Sequence, residues 1–329
     1  VDWTFSDAFT LVTGLRYTDE KVAFRGGTSA FVYTAPTPMM PNPNMLNTTG
    51  EVFRFLDGGG MADFPFTTTD NEFKDDNISF RVALEYRPDD DMMFYASVSS
   101  AFKSGGFFGD FTTEQGELEP FNSETILAYE GGVKLTTADG RVQMNGSVFY
   151  YDYEDIQTVV PAPFGFKLDN VEEAEVIGID LDITARPVEG LDLILGMGWL
   201  NTETTSSMFP TLDKNKLPNA PELQVNGLVR YEIPLVDQFR LAVQGNFKYS
   251  DNKFTEATNT GLNFAADYIV FNGSLTLIPD SGEWDLTVWG KNLGDEEYFE
   301  EVFYSDVVFT VFNFPAPPRT FGATFNYRF

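Results

Sequence analysis

The feature that most constrains this chain is a period of two. Over residues 321–329 the apolar or aromatic positions Phe321, Ala323, Phe325, Tyr327 and Phe329 alternate with Gly322, Thr324, Asn326 and Arg328. Successive side chains of a strand point to opposite sides, so such a stretch has one greasy face and one wet face. The pattern recurs along the chain. Residues 9–25, 78–87, 92–103, 124–136, 141–156, 176–186, 191–202, 223–233, 239–250, 268–278 and 284–293 all read as strands. Residues 1–5 read as the severed end of another, which gives about twelve or thirteen strands in total.

The connections carry as much information as the strands. Short turns at 6–8, 88–91, 138–140, 187–190, 234–238 and 279–283 alternate with long polar connections at 26–76, 104–122, around 161–173, 203–220, 251–266 and 294–317. A Greek-key sandwich mixes short and long links, because its chain crosses at both ends. Strict alternation is the asymmetry of an outer-membrane barrel, with tight periplasmic turns and long extracellular loops. The expected fold class is therefore all-β, an antiparallel transmembrane β-barrel. The charges agree, since Glu130, Lys134, Asp180, Asp182, Arg186, Arg230 and Arg240 all fall on the polar parity. An Arg or Lys at mid-bilayer on the other parity would cost ~2–4 kcal/mol.

Composition excludes several functions. The 329 residues carry 50 Asp and Glu against 21 Lys and Arg, a net charge of −29. Nucleic-acid binding needs clustered basic residues to neutralise phosphates, so it is not expected. No run of about 18 apolar residues occurs, so the membrane would be crossed by closed sheet and not by helix. Aromatic residues make up 16% of the chain, 33 of them Phe, while mean hydropathy is slightly negative. That combination suits a wall with aromatic girdles and a polar lumen. Cys and His are both absent, which removes thiolate nucleophiles, imidazole ligands and Ser-His-Asp triads. No enzyme, catalytic residue, metal site or cofactor is expected. The chain opens on Val1 with neither an initiator Met nor a signal peptide, and reads as a mature product or a piece of a longer chain.

Four stretches, in order, carry a family resemblance. They are Ala101-Phe-Lys-Ser-Gly-Gly-Phe107; Ala128-Tyr-Glu-Gly-Gly-Val-Lys134 followed by Phe149-Tyr-Tyr-Asp-Tyr-Glu-Asp-Ile-Gln157; Val288-Trp-Gly-Lys-Asn-Leu-Gly-Asp-Glu-Glu-Tyr298; and Pro317-Pro-Arg-Thr-Phe-Gly322. Together they resemble the TonB-dependent receptors of the Gram-negative outer membrane. The resemblance implies a barrel of about 22 strands, of which residues 1–329 would be the C-terminal portion. It further implies an N-terminal plug, which this sequence does not contain, and energy coupling through the TonB complex. Implied partners are the barrel assembly machinery, outer-membrane lipid and lipopolysaccharide, and a nutrient of ferric siderophore, cobalamin or oligosaccharide class. The alternative is a plugless passive porin or another non-enzymatic outer-membrane barrel.

Candidate sites follow from this frame. Phe107, Phe108 and Phe111 crowd one long connection, and Phe303 and Tyr304 crowd the last. Exposed aromatics either bind a ligand or pack the loops and girdles, and both readings stand. Phe325, Tyr327 and Phe329 end the chain as the family's assembly signal does. The acidic runs at 89–91, 172–173, 295–297 and 300–301 lack EF-hand spacing and read as solvated loop carboxylates. Asp180 and Asp182, ~7 Å apart on one strand face, read as lumen lining.

Overall fold

Alternation on this scale leaves the backbone a single way to satisfy its hydrogen bonds, which is to pair each strand with the next. The computed structural model describes residues 1–28, 67–108, 120–137, 139–162, 165–206, 208–235, 238–305 and 309–328. Among these, thirteen strands form one antiparallel sheet in chain order. They are β1 (Asp2–Ser6), β2 (Phe9–Thr28), β3 (Thr67–Asp89), β4 (Met92–Lys103), β5 (Glu124–Thr136), β6 (Val142–Ala162), β7 (Gly165–Ala185), β8 (Leu191–Thr205), β9 (Leu223–Pro234), β10 (Phe239–Ser250), β13 (Tyr268–Pro279), β14 (Trp284–Lys291) and β17 (Thr320–Tyr327). Two hairpins sit inside the long connections: β11 (Lys253–Phe254) with β12 (Phe264–Ala265), and β15 (Phe299–Ser305) with β16 (Thr310–Pro315). The sheet is open, with β1 and β17 on opposite edges. This is the arrangement expected of part of a larger wall.

Register turns the period of two into two continuous faces. Phe9, Tyr86, Phe94, Val133, Gly146, Leu181, Met197, Val225, Tyr249 and Ile269 stand side by side across the sheet. One residue away along each strand runs the opposite row: Thr10, Glu85, Tyr95, Gly132, Ser147, Asp180, Gly198, Gln224, Ser250 and Tyr268. Leu15, Val148, Val229 and Phe325 stand exposed on the first face, which is stable only against hydrocarbon. Rings gather on that face. Phe9 stacks on Tyr86 at 4.7 Å and Phe239 meets Trp284 at 6.0 Å near the short turns, while Tyr129 meets Tyr150 at 6.2 Å further along β5 and β6.

The opposite face is polar and internally paired. Glu232 accepts from Arg230 at 2.6 Å and from Arg240 at 3.0 Å, and Asp285 accepts from Asn326 at 2.7 Å. Six of the seven charged residues assigned to the polar parity, Glu130, Lys134, Asp180, Asp182, Arg230 and Arg240, share this face by register, while Arg186 lies just past the end of β7, where it pairs with Asp192 at 2.7 Å. The short turns use the expected chemistry. Gly140, Gly190 and Gly282 adopt φ of 68°, 79° and 68°, a region open to glycine at little cost. In the turn after β5, the Thr137 hydroxyl and the Arg141 N–H both donate to Asp139 and hold its carboxyl below the usual range.

Three expectations need correction. The connection expected around 161–173 is mostly strand, because β6 runs to Ala162 and β7 starts at Gly165. The connection expected over 26–76 is shortened in the same way, since β2 continues to Thr28 and β3 begins at Thr67. Hairpins also occupy the connections expected at 251–266 and 294–317. In each case prolines and charges suggested a loop, while cross-strand pairing and cover from neighbouring loops hold the extension as strand. Lys21, for example, pairs with Glu72 across the β2–β3 extension, and Lys74 pairs with the same carboxylate at 2.6 Å.

Candidate functional site

A wall segment with lipid on one side and lumen on the other has no core of its own, and the deepest burial lies where the long connections meet. Val160 and Val171 of the β6–β7 extension, Leu212 of the β8–β9 loop and Ala257 of the β10–β13 loop form a small buried apolar cluster. Hydrogen bonds lace the same segments. Asn215 donates to the Ala257 carbonyl at 2.7 Å, the Lys216 N–H donates to Asn259 at 2.7 Å, and the Asn259 amide returns to the Lys216 carbonyl at 3.0 Å. The Thr255 hydroxyl lies between the carbonyls of Val302 and Asn263, with one proton to donate to either, and the Thr255 N–H donates to the Asn263 carbonyl at 2.9 Å. The Tyr304 N–H donates to Glu256 at 3.0 Å. The connections therefore make one crown at the long-loop end of the sheet.

Asp155 starts this construction. Its φ of 55° is left-handed, unusual in a strand and tolerated by Asp. Just beyond it, the Gln157 N–H donates to Glu124 at 2.8 Å. Glu124 pairs with Lys103 on the polar parity of β5, so the extension turns toward the polar side of the sheet. Gln157, only 8% exposed, then sends its amide to the carbonyls of Lys103, Ser104 and Asn122 at 3.3, 3.0 and 3.1 Å. Asn170 accepts the Asn122 N–H at 2.7 Å and donates to the Asn122 and Asp155 carbonyls at 3.0 and 2.7 Å. These two amides clamp the base of the β4–β5 loop, which the Gly106–Phe121 bridge also closes. The glycine in Lys103-Ser-Gly105 is a packing requirement, because a Cβ there would collide with the Phe121 carbonyl and the Phe73 ring.

The expected site residues fall into two neighbourhoods. Phe107 and Phe108 are half-buried beside the clamped base, where Phe107 stacks on Phe24 at 5.5 Å. Phe111 lies outside the described residues. Phe303 faces Phe312 at 6.2 Å across β15–β16 and lines a cavity of about 360 Å³ with residues of the β6–β7 extension and the β10–β13 loop. Tyr304 is half-buried beside Glu256. In the same last connection, Tyr298 stacks on Tyr268 at 4.0 Å, and burial pushes its hydroxyl pKa up. Phe325 and Tyr327 sit on the apolar parity of β17, opposite Leu286 and Trp284, and Phe329 lies outside the described residues. Alternation flagged none of the residues that organise the crown, namely Asp155, Gln157, Asn170, Thr255 and Asn263. Polar residues in a connection read as solvated unless their partners, 33 to 54 residues away for Gln157, are known.

Replacing Gln157 by Leu keeps the volume and takes a donor from the carbonyls of Lys103 and Ser104, while the Asn122 carbonyl keeps the Asn170 amide. Each buried group left unpaired costs ~1–3 kcal/mol. The expected result is local: amide exchange at Gly106 and Phe121 speeds by at least about tenfold while the melting of the sheet is unchanged. Unaltered exchange at both amides would show that Asn170 alone holds the loop.

An open antiparallel sheet with one face for lipid, one polar face, tight turns at one end and a laced crown at the other defines the wall of an outer-membrane β-barrel. The family model described as TonB dependent receptor-like, beta-barrel matches residues 1–293, and the chain belongs to that family. Its location is the cell outer membrane, as for the barrels it resembles. The chain is 25% identical over 254 residues to the metal-pseudopaline receptor CntO of Pseudomonas aeruginosa, an alignment covering 75% of this chain and 33% of that protein. In fold it is similar to the ferric yersiniabactin uptake receptor FyuA from Yersinia pestis, with a TM-score of 0.77, 17% identity and coverage of 98% of this chain and 44% of that one. It is also similar to BauA, the ferric preacinetobactin receptor from Acinetobacter baumannii, with a TM-score of 0.65, 16% identity and coverage of 98% and 40%. The chain thus spans a third of the curated relative and less than half of either solved receptor.

Proposed function

We propose that this chain is the C-terminal part of the barrel of an outer-membrane receptor that imports a scarce nutrient, a metal chelate of the siderophore kind, using energy delivered through the TonB complex. The observation that carries the reading is the crown. Three connections joined by a buried cluster and reciprocal hydrogen bonds, with a fourth tied on through Thr255 and Glu256, are a surface built to hold a shape, which a specific receptor needs and a passive pore does not. The similar proteins, an uptake receptor for ferric yersiniabactin and a receptor for metal-pseudopaline, support the chelate class over cobalamin or an oligosaccharide. The edges of the sheet support a wall of about 22 strands completed by further polypeptide. Ligand contact is assigned to Phe107, Phe108, Phe111, Phe303 and Tyr304. For Phe107 the stack on Phe24 favours a packing share in that role.

The test compares uptake of radiolabelled iron, copper and zinc chelates under metal starvation in cells with and without the full reading frame. Uptake of at least one chelate should require both the gene and the proton-motive force. Changing Phe107, Phe108 and Phe111 together to Ser should weaken that uptake and leave heat-modifiable barrel at parental levels. Gene-dependent entry that persists after the proton-motive force is collapsed would establish a passive porin instead.

A further inference from the structure

We propose that the crown contains a subsite for a cationic head group, an ammonium or guanidinium borne on a flat apolar moiety, in the cavity lined by Phe303. The inference rests on the receptor reading above and narrows its ligand class. The cavity, about 360 Å³, is bounded by Glu256, Thr258, Glu301, Phe303, Thr158 and Leu168 among others, and among the described residues that line it none is basic. A small aromatic amine fits that volume.

The two carboxylates are set up differently. Glu256 is held at both oxygens, one accepting the Tyr304 N–H at 3.0 Å and the other the Asn263 amide at 3.1 Å. Asn263 is fully buried, so this support is rigid. Both partners are neutral, which fixes the carboxylate in place without cancelling its charge. Glu301 and Phe303 are two residues apart on β15, so they project to the same side. A cation between them would meet a carboxylate and an aromatic ring together, the combination that selects ammonium and guanidinium groups.

Among the described residues, two lysines of the crown spend their charge elsewhere: Lys167 pairs with Asp169 at 2.6 Å and Lys216 with Glu222 at 2.9 Å. An anionic group entering here would lose hydration and face two carboxylates with no counter-charge, whereas a cation would find both waiting. The apolar moiety has Leu168 and Phe303 to rest on. The subsite therefore rejects the exposed face of a compact anionic chelate and accepts cargo that presents a positive group.

The test uses the receptor expressed from its full reading frame and folded in detergent micelles. Three probes of matched shape are titrated by ligand-observed NMR: phenethylammonium, 2-phenylethanol and phenylacetate. Phenethylammonium should bind most tightly and phenylacetate should give no measurable binding. Glu301→Gln should weaken phenethylammonium by about tenfold and leave the alcohol unchanged. Phe303→Leu should weaken the cation more than the alcohol. Heat-modifiable migration of each variant confirms that it folds. Equal binding of the three probes by the parent, absence of cation binding, or a Glu301→Gln variant that binds the cation as well as the parent would overturn the subsite. Energised chelate uptake by cells carrying Glu301→Gln is read separately, so the subsite can fail while the receptor function stands.

Discussion

Replacing Ile179 by Arg should destabilise the folded receptor by ~2–4 kcal/mol, while Asp180→Asn, one residue away, should change stability by less than about 0.5 kcal/mol. Ile179 stands on the apolar face between Val148 and Trp199, and Asp180 stands on the polar face between Ser147 and Gly198. The two positions share a strand, a depth and a hydrogen-bonding pattern, so the contrast isolates the medium each side chain meets. At mid-bilayer a guanidinium must drag water inward or snorkel toward a head group, and both are costly. On the polar face the Asp180 carboxylate has Asp182 and Glu130 as neighbours on its own parity, so removing one negative charge relieves repulsion as well as losing solvation. The measurement is urea unfolding of the full receptor refolded into phosphocholine vesicles. A loss at Asp180→Asn equal to or larger than that at Ile179→Arg would mean the faces are reversed.

That contrast is legible in the sequence alone, because a face needs nothing but parity. The alternation of Leu11, Leu15 and Tyr17 with Thr10, Gly14 and Arg16 assigns each side chain to a medium, and register preserves the assignment from strand to strand. Turns were legible for a similar reason: Gly140, Gly190 and Gly282 take backbone angles that other residues resist. The crown was not legible. Val160 and Leu212 share one buried cluster across 52 residues of chain, and neither sits in a pattern that distinguishes a buried position from a loop apolar residue. Pro161 and the acidic pair at 172–173 pointed to a loop, yet β6 and β7 pass through both places. Local chemistry was outweighed there by cover from segments far away in sequence. The candidate site shows the same division. Phe303 was visible as a loop aromatic, but the fixed Glu256 beside it depends on Asn263 and Tyr304, residues that no period connects.

Deleting Phe329 should leave most of the receptor unassembled in cells and yet barely change its stability once folded. The apolar parity of β17, Phe321, Ala323, Phe325 and Tyr327, continues that of β14, Gly290, Val288, Leu286 and Trp284, and the Phe325 ring lies 5.9 Å from that of Trp284. Phe329 is two residues further on the same parity by sequence. The end of β17 is nevertheless pinned without it. The Arg328 N–H donates to the Glu283 carbonyl at 2.7 Å, and its guanidinium donates to the Gly282 carbonyl at 2.7 Å and to Asp285 at 3.0 Å. A merely structural terminal Phe would therefore contribute little, and its loss after refolding in vitro should fall within about 0.5 kcal/mol of the parent. A recognition signal behaves otherwise, because the assembly machinery must engage the edge strand before the wall can close. The two roles separate when heat-modifiable barrel in the outer membrane is measured alongside urea stability of the refolded protein. Normal cellular levels after deletion would remove the assembly role. A large loss of refolded stability would make Phe329 a packing residue of the closing strand and not a signal.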